Sequence, residues 1–199
     1  MNRESFGYVV VFTFIVAFLF VIIIALVDNA TKNQVLQNQK LVTAQAFLNA
    51  INVAVDDEDE TLAEFSRIFG SVEGLQIKRA QAGDEIVLVK MFSGQGLWGT
   101  VTGVIAVDET VSRIIGLDII SHAETPGLGG RIEEDWFKSQ FRNERIGDGG
   151  IVVRKGEGGL DDNPENGIVD GITGASLTSA AMETIVINEI NAFREELGE

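Results

Sequence analysis

The stretch of this chain densest in groups able to do chemistry is Asp170-Gly171-Ile172-Thr173-Gly174-Ala175-Ser176-Leu177-Thr178-Ser179. Its glycines let the backbone approach a bulky anion with no Cβ in the way. Where a helix starts inside such a stretch, the free amides of its first turn attract phosphate. The hydroxyls of Thr173, Ser176, Thr178 and Ser179 add hydrogen bonds or a point of covalent attachment. The same residue types are met by an ordinary helix cap, which prefers Ser and Thr and needs one hydroxyl. Two enzymatic readings fail. No lysine follows the glycines, as a phosphate-binding P-loop requires. Thr173-Gly174-Ala175-Ser176-Leu177 is not the G-x-S-x-G elbow of a serine hydrolase, and the one histidine, His122, is far away in sequence.

A second stretch is His122-Ala123-Glu124-Thr125-Pro126-Gly127-Leu128-Gly129-Gly130. Gly127 and Gly129 free the backbone, Leu128 is apolar, and Glu124 and Thr125 can hydrogen-bond. Pro-Gly is equally the signature of a tight surface turn. His122 suits a cofactor contact or an ordinary strand end, and one histidine does not make a metal site. Trp98, within Gly94-Gln95-Gly96-Leu97-Trp98-Gly99, suits stacking on a ring or packing on a sheet.

Asp170-Gly-x-Thr-Gly-Ala-Ser176-x-Thr-Ser resembles the flavinylation motif of a family of FMN-binding subunits. Its members serve the Na+-translocating NADH:quinone reductase (Nqr) and the Rnf electron transport complex, a ferredoxin:NAD+ oxidoreductase. The resemblance implies FMN joined to Ser176 by a phosphoester bond, which a separate flavin transferase makes from FAD. Threonine is the commoner occupant of that position, and serine supplies the same hydroxyl. Thr173, Gly174, Ala175 and Thr178 come with the motif as cofactor-binding residues, and Asp170 is expected to position Ser176 or a metal-bound phosphate during attachment. Glu124 to Gly129 resembles the Glu-Thr-Pro-Gly-Leu-Gly loop beside the flavin, which assigns Glu124, Thr125, Gly127, Leu128 and Gly129 to the cofactor. Gly94–Gly99 resembles the Gly-x-Gly-Leu-Trp segment of the quinone reductase relative, and 131–145 the helix after the flavin loop. The implied function is electron relay in an ion-translocating complex, with other membrane subunits of the Nqr or Rnf complex as partners. The Gly-Leu-Trp segment favours the former, the short chain the latter. An NADH pocket is not expected here, for want of a dinucleotide-binding fingerprint after a strand. Two alternatives stand beside this reading. One is a membrane-tethered binding or assembly module whose Thr-Gly-Ala-Ser segment only caps a helix. The other is a flavoprotein with a regulatory or reductase role outside ion pumping.

The elements that must position these segments are legible in part. Tyr8 to Val27 carries no charge, proline or glycine. At about 1.5 Å per residue it reaches about 30 Å, the thickness of a bilayer's hydrocarbon core. A retained anchor fits this length better than a cleaved signal core. Arg3, partly offset by Glu4, precedes the span, and Asp28, Lys32 and Lys40 follow it, a thin form of the positive-inside rule. The expected location is the cell inner membrane, single-pass, with the domain on the extracytoplasmic side. The net charge of −15 argues against nucleic acid as a partner, and zero cysteines exclude disulfides and thiolate metal sites within the chain.

Leu41, Ala44, Leu48 and Ile51 lie three and four apart, predicting a helix that continues from the span and docks on the domain. Asp56 to Glu60 reads as a solvated loop or helix start, lacking the spaced ligands of a calcium loop. Strands are predicted over Glu85–Phe92, Thr100–Val107 and Arg113–Ser121, with Val101, Ile105 and Val107 on one face of the second, Ile115, Leu117 and Ile119 on one face of the third, and a hairpin at 108–110. A short helix follows over Glu133–Phe141, then a further strand over Ile151–Lys155. The last helix begins near Leu177, with Met182, Val186, Ile190, Phe193 and Leu197 as its apolar stripe. The fold class is α+β: an N-terminal transmembrane helix over 1–30, a juxtamembrane helix over 31–55, and one FMN-binding domain over 56–199 with an antiparallel sheet and flanking helices.

Overall fold

A computed structural model describes residues 6–55, 57–70, 77–83, 85–154 and 161–198. Arg3, Glu4, Asp56 and Lys155, invoked above, lie outside these residues. The chain forms two compact units, Met1–Lys40 and Leu41–Glu199. The first helix, α1, spans Phe6–Ala50.

Between Tyr8 and Val27, in the first unit, α1 is apolar on every side. Phe12, Phe18, Phe20, Val21 and Ile24, spread around the helix, are all exposed. A helix of this length and hydropathy satisfies its own backbone groups and is long enough to cross a bilayer. It carries no Gly or Pro between Tyr8 and Val27 to interrupt it.

The second unit is a sheet covered on both faces. The strands are β1 (Lys78–Ala82), β2 (Glu85–Gln95), β3 (Thr100–Asp108), β4 (Arg113–Ser121) and β5 (Glu144–Arg145), paired antiparallel in that order. Alternation sends Leu88, Phe92, Val101, Ile105 and Val107 to one face, and a register shift opposite Ala106 and Val107 brings Ile114 there with Leu117. There they meet Met182, Ile185, Val186, Ile190 and Phe193 of α4 (Ser176–Leu197) and Phe137 of α3 (Asp135–Ser139). Val87, Val89, Val104, Ala106 and Ile115 point the other way, onto Phe47, Leu48 and Ala50 at the end of α1 and Phe69 of α2 (Glu58–Phe69). The shift thus leaves Ile115 on the other face from Leu117 and Ile119, against expectation. Because both faces are buried, β3 reads as a nearly unbroken apolar run. Gly116 matters on the α1 side: a Cβ there would come 2.6 Å from the carbonyl oxygen of Ala50. Asn52 fixes the same junction by donating to the carbonyl of Ile115 at 2.9 Å.

The acidic run is a helix start. Asp57 accepts from the amides of Asp59 and Glu60, so it is the N-cap of α2. The helix expected over Glu133–Phe141, and by resemblance over 131–145, is shorter: α3 follows a 3-10 turn at Gly129–Glu133, and Glu144–Arg145 is strand β5. The strand expected at Ile151–Lys155 is β6 (Val152–Arg154), which pairs parallel with β7 (Ile168–Asp170) as a small second sheet. β7 leads directly into the segment before α4. One expectation needs correction: Gly94-Gln95-Gly96-Leu97-Trp98-Gly99 does spell G-x-G-x-x-G after a strand. The chain turns there and returns as β3 instead of entering a helix, so the helix N-terminus that a dinucleotide pyrophosphate needs is missing.

Candidate functional site

Three segments distant in sequence meet at one end of the sheet: the β2–β3 turn, the loop after β4, and the start of α4. A single carboxylate joins them. Glu124, 4 % exposed, accepts from the backbone N–H of Trp98 at 3.0 Å through Oε1 and from the hydroxyl of Thr178 at 2.6 Å through Oε2. Glycines make room for it. A Cβ on Gly96 would come 2.6 Å from Oε1, and one on Gly129 would come 2.7 Å from Oε2 and closer still to the Thr178 hydroxyl. The amide of Glu124 donates to His122 Nδ1 at 3.1 Å, while His122 Nε2 faces Glu133 at 3.3 Å. With Nδ1 accepting, the ring carries its proton on Nε2, so His122 braces the loop.

The loop itself turns at Gly127, whose φ of +74° suits glycine, and the carbonyl of Thr125 accepts from the amides of Leu128 and Gly130. The side chains of Thr125 and Leu128 are exposed. Gly174, at φ +83°, has Leu128 Cδ2 3.4 Å from where a Cβ would sit, so the loop and the α4 approach lie in contact.

The hydroxyl segment sorts its own candidates. Ser176 is the first residue of α4, is exposed, and follows Ala175, which makes no side-chain cap bond. Thr178, 1 % exposed, donates to Glu124. Ser179 is also buried; it accepts from the amide of Ile172 at 2.9 Å and donates to the carbonyl of Ala175 at 3.0 Å. Thr173 is exposed. Asp170 is buried, and its Oδ1 accepts from Arg154 Nε at 3.0 Å and Nη2 at 2.6 Å. Gln140 clamps the backbone of Asp170 from the other side, accepting from its N–H at 2.9 Å and donating to its carbonyl at 3.2 Å. Asp170 is thus held at the entry to the motif, turned to Arg154.

Around Ser176 the surface is apolar although exposed. Trp98 is 68 % exposed and Leu177 66 %, and Leu97 and Leu128 are exposed as well. A flat aromatic group tethered at Ser176 would find apolar side chains to cover, a helix N-terminus for a phosphate, and glycine backbone beside both. The residues therefore fit a flavin mononucleotide. Sequence reasoning missed the Trp98 amide, Gly96, Gln140 and the bracing role of His122. Nothing in the spacing of the first three marks them, because each acts on a group far along the chain, whereas His122 acts on the amide two positions on.

Comparison with known proteins agrees with this geometry. Residues 96–191 match the family of FMN-binding domains. It is 34 % identical over 107 residues to the NqrC component of the Na(+)-translocating NADH-quinone reductase of Vibrio anguillarum, covering 52 % of this chain and 41 % of that one. To the NqrC of Pasteurella multocida it is 30 % identical over 161 residues, 78 % of this chain and 57 % of that one. The chain spans about half the length of the curated relatives it matches. The fold is shared with the crystal structure of NqrC from Parabacteroides distasonis (TM-score 0.66, 24 % identity, 79 % of this chain and 92 % of that one). It is shared also with Shewanella oneidensis NqrC (TM-score 0.57, 18 % identity, 78 % and 99 %).

Proposed function

We propose that this chain carries FMN as a phosphoester on Ser176 and serves as a membrane-anchored electron relay within an ion-translocating NADH:quinone oxidoreductase. The observation that carries the site is the contrast between neighbouring hydroxyls. Ser176 is exposed at an uncapped helix start, while Thr178 and Ser179 are buried and engaged. In the attachment step the Ser176 Oγ forms a bond to the flavin phosphate of FAD, the bond to AMP breaks, and the hydroxyl proton goes to a base on the flavin transferase. Asp170, held by Arg154 and Gln140, orients the backbone entering the motif for that encounter.

When bound, the flavin accepts and passes on electrons. This chain's residues fix where that happens. The tether prevents diffusion, α4 offers its amides to the phosphate, Leu97, Trp98, Leu128 and Leu177 offer apolar cover, and Glu124 holds the three segments in register. The quinone reductase relatives favour that assembly over the Rnf complex. The partners are then the other membrane subunits, which carry the NADH and quinone sites. The apolar part of α1 supplies the anchor in the inner membrane, with the domain on the extracytoplasmic side.

The test is intact mass and in-gel flavin fluorescence of denatured protein co-expressed with a flavin transferase. Wild type is expected to carry a denaturation-resistant flavin and Ser176→Ala none. Equal labelling of both would move the attachment to another hydroxyl. No labelling of either, beside a labelled family control, would remove the covalent reading.

A further inference from the structure

Glu124 is a buried carboxylate without a cationic partner among the described residues. Its two bonds come from a neutral amide and a neutral hydroxyl, at 3.0 and 2.6 Å. Arg131 nearby pairs with Glu134 at 3.1 Å, and the His122 ring, its Nδ1 accepting from the Glu124 amide, turns Nε2 to Glu133 at 3.3 Å. The one compensating field is the start of α4, since Thr178 lies in its first turn. That helix start is also where Ser176 presents its hydroxyl, two positions earlier. Two anions, the carboxylate and a phosphate on Ser176, would share one helix N-terminus.

Resting on the proposed attachment of FMN to Ser176, we propose that Glu124 is a positioning residue that acts through its charge: it sets the flavin's midpoint potential low. Reduction adds two electrons and one proton to the ring and leaves it with a net negative charge. A fixed carboxylate in a low-dielectric surrounding repels that charge and favours the oxidised ring. Neutral donors satisfy the carboxylate's hydrogen bonding without cancelling its charge, so the field reaches its surroundings.

The substitution that isolates the charge is Glu124→Gln. The amide keeps the length of the side chain, accepts from Trp98 N–H with its oxygen and donates to the Thr178 hydroxyl with its nitrogen. Glu124→Asp does the opposite, keeping the charge and losing a methylene of reach. Flavin loading of each protein is read by intact mass, and the midpoint potential by spectroelectrochemical titration of the native flavin with dithionite. The expected result is a more positive potential for Glu124→Gln and a value near wild type for Glu124→Asp. An unchanged potential in flavin-loaded Glu124→Gln overturns the proposal, as does a shift in Glu124→Asp as large as in Glu124→Gln, which would make the effect geometric. If Glu124→Gln does not fold, Thr178→Val carries the test: it removes one neutral donor, leaves the charge less screened, and lowers the potential, and a rise overturns the proposal. Absence of flavin from wild type is a separate result, read by mass alone, and it sinks the attachment reading and this inference with it.

Discussion

Asp108 and Glu124 close opposite ends of the β3–β4 pair, and they do it at different scales. Asp108 sits where β3 ends. It accepts from the amides of Ser112 and Arg113 at 2.7 and 2.9 Å and from the hydroxyls of Ser112 and Thr110 at 2.6 and 2.7 Å. Every partner is within five positions. Glu124 sits beyond the other end, and its partners are 26 and 54 positions away. The local carboxylate makes a turn; the distant one makes a site. Burial alone would raise the Asp108 pKa, but the bonds from Ser112, the Arg113 amide and Thr110 hold it below the usual carboxylate value. Asp108 needs many bonds to form one hairpin, whereas Glu124 with two bonds joins three segments.

The sharpest way to break the distant end without touching its hydrogen-bonding groups is Gly129→Ala. The new Cβ would fall 2.7 Å from Glu124 Oε2, forcing the carboxylate and Thr178 apart. Overpacking of this kind costs about 1–3 kcal/mol, and chemical denaturation should read it together with quenched or shifted Trp98 fluorescence. Restored stability in Gly129→Ala/Thr178→Ser would not be expected, because the contact with Glu124 remains.

At the local end, Asp108→Ala should cost about 1–2 kcal/mol, less than its bond count suggests because part of the turn is solvated. The sign with pH follows from the depressed folded pKa. The contribution of Asp108 is present above the unfolded carboxylate pKa and is lost as pH falls through its folded value. Denaturation midpoints of wild type and Asp108→Ala should therefore differ at neutral pH and converge in acid. A gap that stays constant into acid would mean that the ionised form is not what holds the turn. The smallest effect needs no substitution. By native-state hydrogen exchange the Trp98 amide should open at lower free energy than the Ser112 amide, since its acceptor depends on three segments staying docked.

This contrast explains what was legible in the sequence. Arg113–Ser121 and the core of β3 showed themselves as short apolar runs, and Asp108-Glu109-Thr110 announced the hairpin between them; the register shift that turns Ile115 away from Leu117 left no mark. β1 did not, because Lys-Arg-Ala-Gln-Ala on a sheet edge has the polarity of a loop. β7 was hidden inside the stretch leading to the motif, being three residues long. The start of α4 could be placed within a residue, since its stripe and its hydroxyls agree. At the site, the loop and the hydroxyl segment were each recognisable from their residues, and their meeting was not. Gly96 and Gly129 look like generic turn glycines until the carboxylate between them is in place.

The span of the Glu124 bonds also sets an order of assembly. Loop-closure entropy grows with the logarithm of the stretch closed, so joining groups 54 positions apart costs about 2 kcal/mol more than joining groups five apart. The β3–β4 turn can form early from local contacts; the helix start bearing Ser176 takes its place only after the sheet and α4 have packed. If FMN is attached to Ser176 as proposed, a transferase that requires an ordered Ser176 would modify finished domains and pass over unfinished ones, and the attached cofactor would record that folding has gone to completion.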